Sequence, residues 1–270
     1  MPDPPASITL KGGPLEASST VAVVGSRRAC DDAVSFARTL ANALVRAGSV
    51  VVSGGALGVD AAAHEGALSA GGRTWAVAGT GHAHCFPSEH AALFERIGAG
   101  PGAMVWPFAP DYRHRSGFPS RNRVLVALSD AVVIVQAGEQ SGALNAASCA
   151  VKLGKPLWVV PAFPWAVDFE GSLRLLDEGA RPLTSIPSFL TAIGIEPPGA
   201  ATEDPLPMLP PETQAVFEAV QAKPAHVDLI AAASGQTAQV AIATLLTLAL
   251  ENVVVEGPPG FFRRTTASKH

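Results

Sequence analysis

The feature that most constrains this chain is a series of short, unbroken apolar runs separated by stretches of helical periodicity. The runs are Val21–Val24, Val50–Val52, Thr74–Ala78, Ala103–Trp106, Ala131–Val135 and Leu157–Val160. After the first, Phe36, Leu40 and Leu44 recur at helical spacing, and after the second an Ala-rich helix extends to about Ala70. Apolar runs without polar alternation predict strands buried on both faces. Their alternation with helices predicts a doubly wound α/β domain, a parallel sheet covered on both sides. Ligands of such sheets bind beyond the carboxyl ends of the strands, where the Gly, Ser and Arg residues of this sequence gather.

With 270 residues, 48% of them hydrophobic, the chain has room for one large core and a small second one. Residues 1–18, rich in Pro, Gly and Ser, read as a flexible leader, and 19–194 as the α/β domain. Residues 195–210 (IEPPGAATEDPLPMLP) read as a linker. Over 211–265, helices are expected at Thr213–Gln221, His226–Ala233 and Thr237–Glu251. A strand pair, Val253–Val255 and Phe261-Phe262, is joined by Gly-Pro-Pro-Gly. Three helices and a hairpin suggest a winged-helix module.

Cys30, Cys85 and Cys149 stand in no CxxC spacing, which suits a reducing compartment. No basic start followed by an apolar stretch marks a signal peptide, and no run reaches the ~20 residues of a membrane span. A cytoplasmic protein without membrane contact is expected. The net charge of −4 gives no global attraction for nucleic acid, so any such site must be a local patch.

Four loops carry the candidate chemistry. Gly25, Ser26 and Arg27 follow the first run: backbone amides, a hydroxyl and a planar cation suited to phosphate, or an ordinary turn. Ser53, Gly54 and Gly55 open SGGALGVD, which is neither the GxGxxG fingerprint nor a Walker A loop. Asp60 within it caps the next helix or holds Arg27, and His64 is expected to be satisfied against its own turn. The third loop, RHRSGFPSRNR (113–123), concentrates four arginines around a phenylalanine, as a stacked, phosphate-rich single strand requires. Pro119 would place Arg121, Asn122 and Arg123 in the first turns of a helix, where cations are unfavourable without an anionic partner; a ligand is one such partner. Ser141 and Gly142 open another helix as an anion site or a plain N-cap. His82, His84, Cys85 and His90 match no common zinc spacing, and no G-x-S-x-G elbow is present; neither a metal nor another cofactor is expected.

Taken in order, VAVVGSR (21–27), VVSGGALGVDAAAHEGAL (51–68), AVAGTG (76–81), CFPSEH (85–90), FPSRNRVLVALSDAVVIVQA (118–137), SGALNAASCAVKLGKPLWVVP (141–161) and EGSLRLLDEGA (170–180) resemble the DprA/Smf family. The resemblance implies an extended Rossmann-like sheet, a homodimer, and a non-enzymatic protein that binds and shields single-stranded DNA and helps load the RecA recombinase in natural transformation. It places the DNA pocket at Gly25, Ser26, Arg27, the Ser53–Gly55 loop, Arg121, Arg123 and Ser141-Gly142, with the FPSRNR segment shaping it. It also absorbs the His/Cys cluster into a family loop.

Several positions depart from the family pattern. Gln136 stands where Glu is usual and Ala162 where Gly is usual, and the sheet begins too early to leave room for the small helical domain that often precedes it. The tail resembles the family's winged-helix domain, yet Thr237–Glu251 contains no Lys or Arg. A helix reading the major groove needs basic and amide side chains, so this tail is expected to contact protein, or its own main domain, and not to read duplex sequence. Two other classes compete: a nucleoside monophosphate phosphoribohydrolase of the lysine-decarboxylase-like (LOG) group, for which Glu139 is the nearby carboxylate although the typical Pro-Gly-Gly-x-Gly-Thr loop is absent, and a nucleotide sensor signalling through its winged helix.

Overall fold

The computed structural model describes residues 4–195, 211–221, 223–250 and 254–264. The chain divides into two units, residues 1–199 and 200–270. The first holds β1 (Thr9–Gly12), β2 (Thr20–Val24), α1 (Asp31–Arg46), β3 (Val50–Ser53), α2 (Val59–Ser69), β4 (Thr74–Val77), α3 (Ala91–Ala99) and β5 (Ala103–Trp106). Then come α4 (Gly117–Ala127), β6 (Ala131–Ile134), α5 (Ala143–Lys152), β7 (Leu157–Val159), α6 (Glu170–Asp177), β8 (Arg181–Pro182) and α7 (Ile186–Ala192).

The eight strands form one sheet in the order β1-β5-β4-β3-β2-β6-β7-β8. All neighbours are parallel except β1, which runs antiparallel to β5 with Thr9 opposite Trp106. The unbroken apolar runs follow from burial on both faces. Ala22, Val24, Val52, Val132 and Ile134 point to one core, shared with Ala143, Ala146 and Ala150 of α5. Val21, Val23, Val51 and Val133 point to the other, shared with Leu40 and Leu44 of α1 and with α2. In α1 the buried Ala33, Ala37, Leu40, Ala41 and Leu44 make a single stripe, and Asp31, Asp32 and Arg46 suit its two dipole ends.

One expectation is corrected. Residues 1–18 are not wholly a loose leader, because they contain β1. The doubly wound parallel sheet is as expected, with β1 added antiparallel at its edge. All four residues of β1 are exposed, so no buried face marked them in the sequence. The expected linker lies, apart from Ile195, outside the described residues.

The second unit contains α8 (Pro211–Ala219), β9 (Ala225–His226), α9 (Val227–Ser234), α10 (Ala238–Leu250), β10 (Val254–Glu256) and β11 (Phe261–Arg264). Its sheet runs β10-β11-β9 around a core that includes Phe217, Ile230, Leu245, Leu248 and Phe262. This is a winged-helix unit: three helices with a hairpin. Among the described residues, no single helix is long and apolar enough to cross a membrane.

Candidate functional site

From β2 the chain moves outward through β3, β4 and β5, then returns to lay β6 on the opposite side of β2. That reversal leaves a crevice between the loops that leave β2 and β6, the place where open α/β sheets bind ligands. A cleft of about 780 Å³ occupies it, walled by Gly25–Arg28, by Phe118, Pro119, Arg121 and Asn122 at the start of α4, by Gly138–Ala143, and by Asp168 and Glu170.

The β2 loop is held by its backbone. Ser26 donates its amide to Gln136 O at 2.8 Å, and its carbonyl accepts from Val59 N–H at 3.2 Å. Gly25 lies so close to α2 that a Cβ would meet the Val59 side chain at 2.6 Å. Gln136, buried at the end of β6, accepts the Cys30 amide at 2.9 Å and donates to Asp168 O at 3.4 Å. Its amide thus uses one acceptor and one donor to tie two cleft walls together, which a carboxylate could not do.

Beneath the cleft lies a buried ionic layer. The Arg121 guanidinium stands 3.7 Å from Asp60 Oδ2, with the two side chains 6% and 2% exposed, and it donates to Val77 O. Asp60 Oδ2 also accepts the amides of Gly54 and Ala56 at 3.1 and 3.3 Å. Burial pushes the Asp60 carboxyl up, while Arg121 and these amides pull it back. Gly54 is required because a Cβ there would fall within 2.0 Å of the Arg121 guanidinium.

The cleft surface differs from this floor. Arg27 and Arg28 are exposed, and the Arg27 guanidinium sits 5.3 Å from the Phe118 ring centroid. Phe118 packs against Phe86 at 5.0 Å, and Phe86 is itself half exposed. Ser141 Oγ accepts the Ala143 amide at 3.3 Å at the start of α5, and Asn122 Nδ2 donates to Asn145 Oδ1 at 3.0 Å, tying α4 to α5.

The fold therefore brings Gly25, Ser26, Arg27, Arg121, Asn122, Ser141 and Gly142 to one cleft. Gly54 lines a smaller pocket beside it, with Arg27, Phe86 and Phe118. Ser53 is fully buried and donates to Val23 O at 2.6 Å. Gly55 backs onto Phe94, and Arg123 is exposed on α4 without lining either pocket. The arginine-rich segment is thus not one patch: Arg113 and Arg115 are exposed ahead of α4, and Arg121 points inward. The anionic partner that its position near a helix start demanded is Asp60. Asp60 in turn pairs with Arg121 and not with Arg27. Sequence reasoning left Arg28 and Phe86 out of the pocket, whereas it did single out the ring at Phe118 among the arginines. A flat ring among arginines was the available signal for Phe118, and its contact with Arg27 came only from folding.

His64 is not satisfied by its own turn. Thr74 donates its hydroxyl to Val51 O at 2.8 Å, so it accepts from His64 Nδ1–H at 2.7 Å, and His64 is fully buried as the neutral ring. Burial, with help from Arg121 and His90, lowers its pKa to about 3. Between that value and the ordinary value near 6.5 the unfolded chain binds a proton that the native state refuses. Stability is therefore expected to fall as pH drops from about 6.5 towards 3, by up to on the order of 4 kcal/mol from this group. Thermal unfolding of wild type and His64→Gln between pH 7 and 4 checks this; the substituted protein should lose less stability on acidification.

His82 packs edge-on against Trp106, Cys85 bonds Pro87 O and His90 bonds Gly55 O. Among the described residues, no group of three or more His, Cys, Asp or Glu side chains is placed to hold a metal.

A doubly wound α/β unit with a cleft at its switch point, followed by a winged-helix unit, defines the class of protein. Residues 1–194 match the family described as DNA recombination-mediator protein A, and residues 200–260 match the DprA winged helix domain. The chain belongs to the DNA recombination-mediator protein A family. It is 38% identical over 229 residues to a putative DNA processing protein DprA of Mycobacterium tuberculosis, covering 81% of this chain and 58% of that one. It is 35% identical over 178 residues to Protein Smf of Synechocystis, covering 66% and 44% respectively. The chain thus spans about half the length of these relatives. DNA processing protein A from Helicobacter pylori, solved for its single-stranded DNA binding mode, superposes with a TM-score of 0.66 at 32% identity, covering 72% of this chain and 89% of that one.

Proposed function

We propose that this protein binds single-stranded DNA in the switch-point cleft, shields it, and passes it to the RecA recombinase during recombination of incoming DNA in natural transformation. The observation that carries this reading is the exposed Arg27 guanidinium set over the Phe118 ring at the mouth of the cleft. A cation for phosphate beside a flat face for a base is what a single strand, rather than a rigid duplex, can use. Family membership and the single-stranded DNA binding of the Helicobacter relative support it.

In this reading Arg27 and Arg28 take phosphates, aided by the amides of Arg27 and Gly142. Ser26, whose Oγ accepts the Arg28 amide at 3.1 Å, has a hydroxyl proton to donate. Arg121, with Ser53, Gly54 and Gly55, shapes the floor and does not reach the strand. Asn122 and Ser141 fix the α5 mouth. The protein works in the cytoplasm as a homodimer and performs no chemistry on the DNA. The winged-helix unit contacts protein, since α10 (AQVAIATLLTLAL) has no charged side chain and exposes Val240, Ile242 and Leu246.

Two assays test the reading against its rivals. Nucleoside monophosphates incubated with the protein should release no base, and should not displace a bound oligothymidylate. Base release that is lost in Glu139→Gln would establish the phosphoribohydrolase reading, because Glu139 does line the cleft. Tight binding of a free nucleotide without oligonucleotide binding would establish a sensor. RecA filament growth on single strands, followed with and without the protein, tests the transfer step.

A further inference from the structure

The loop between β7 and α6 carries an aromatic pair that the cleft does not use. Phe163 and Trp165 are 69% and 77% exposed, and Val167 beside them is 78% exposed. The two rings stack on each other with centroids 5.3 Å apart and planes inclined by only 9°. The loop is tied to the cleft wall. Gln136 donates to Asp168 O, and Asp168 lies against Gly138, where a Cβ would be 3.6 Å from Asp168 Cα. Trp165 is three residues from Asp168, so their Cα atoms are at most about 11 Å apart.

The charge distribution says what can pass there. Every cation that lines the cleft, Arg27, Arg28 and Arg121, comes from the β2 loop or α4, whereas Glu139, Asp168 and Glu170 line the opposite wall. Three carboxylates repel phosphates. A strand leaving the cleft on that side must turn its phosphates to solvent and its bases to the protein. An exposed, pre-stacked ring pair then meets the bases, and stacking on such rings is tolerant of sequence. It also accounts for large apolar side chains left in water.

We propose that Phe163 and Trp165 form a stacking platform that extends the single-stranded DNA path beyond the cleft, engaging bases and not phosphates. The inference rests on the single-stranded DNA reading of the cleft. It is tested by fluorescence anisotropy with oligothymidylates of about 5 and about 20 nucleotides. For the full-length chain, Trp165→Ala and Phe163→Ala should each weaken binding of the longer strand about 10-fold, and leave the shorter one unchanged. Trp165→Phe should restore most of the loss, and a long strand made abasic throughout should bind wild type and Trp165→Ala equally. Unchanged long-strand affinity in Trp165→Ala, with Arg27→Ala still weakening it, would overturn the platform and leave the cleft standing. Failure of wild type to bind either strand would overturn both. A change of sedimentation in Trp165→Ala without a change in DNA affinity would make this surface a contact between copies of the chain, and would also overturn the proposal.

Discussion

Replacing Arg27 by alanine is expected to weaken single-stranded DNA binding by about 10-fold or more, the scale of one lost charge-assisted hydrogen bond. The loss should be the same for all sequences, because phosphates carry no base information. The slope of log affinity against log salt should become shallower by about 0.7, the signature of one phosphate contact on a single strand. Arg27→Lys should recover only part of the affinity, since it keeps the charge but lacks the planar fork that bridges phosphate oxygens and lies on Phe118. The net charge of −4 makes this residue matter more, because few other cations face the cleft. Salt titrations of binding for the three proteins check it. A large change in base preference with an unchanged salt slope would contradict the phosphate role.

Arg121→Ala is expected to produce the largest loss of stability, about 3–5 kcal/mol, because it leaves the Asp60 carboxylate buried without its partner. For a chain of this size that corresponds to a melting temperature lower by roughly 6–20 °C. Asp60→Ala with Arg121→Ala should cost less than the sum of the single substitutions, since the pair then leaves no orphan charge. The pH dependence follows from the direction of the Asp60 shift. Its native carboxyl already takes up a proton at higher pH than the unfolded chain does. Stability attached to this group therefore declines as pH rises from the unfolded value through the folded one. Removing Arg121 raises the folded value further and also removes a charge that keeps His64 neutral. The gap between wild type and Arg121→Ala should accordingly narrow as pH falls from 7 towards 5. Thermal melts of the four proteins of the cycle at both pH values check the argument. DNA affinity should fall as well, because the cleft floor is displaced, so stability must be read beside it.

The strands were legible because burial on both faces erases polar alternation, and the loops at the switch point because glycine and serine cluster where backbone must face a ligand. β1 was not legible, since an exposed edge strand such as Thr9–Gly12 has no apolar pattern to read. Within the site, Gly25, Ser26 and Arg27 could be named because they sit at the end of a strand. Arg121 could be named but not oriented. A sequence gives a cation's position along a helix and not the buried carboxylate, contributed by α2, that claims it. Ser53 and His64 show the same limit, since their partners Val23 and Thr74 lie on neighbouring strands. Phe163 and Trp165 went unnoticed because apolar residues in a loop look like core until their exposure is known.

The most direct test of the central claim is equilibrium binding of the intact chain to single-stranded and duplex DNA of equal length at low and moderate salt. The account predicts clear preference for the single strand, weakening with salt, and little affinity for duplex, since α10 offers no charged side chain to the major groove. Equal or stronger duplex binding, or no binding to single strands at low salt, would contradict it.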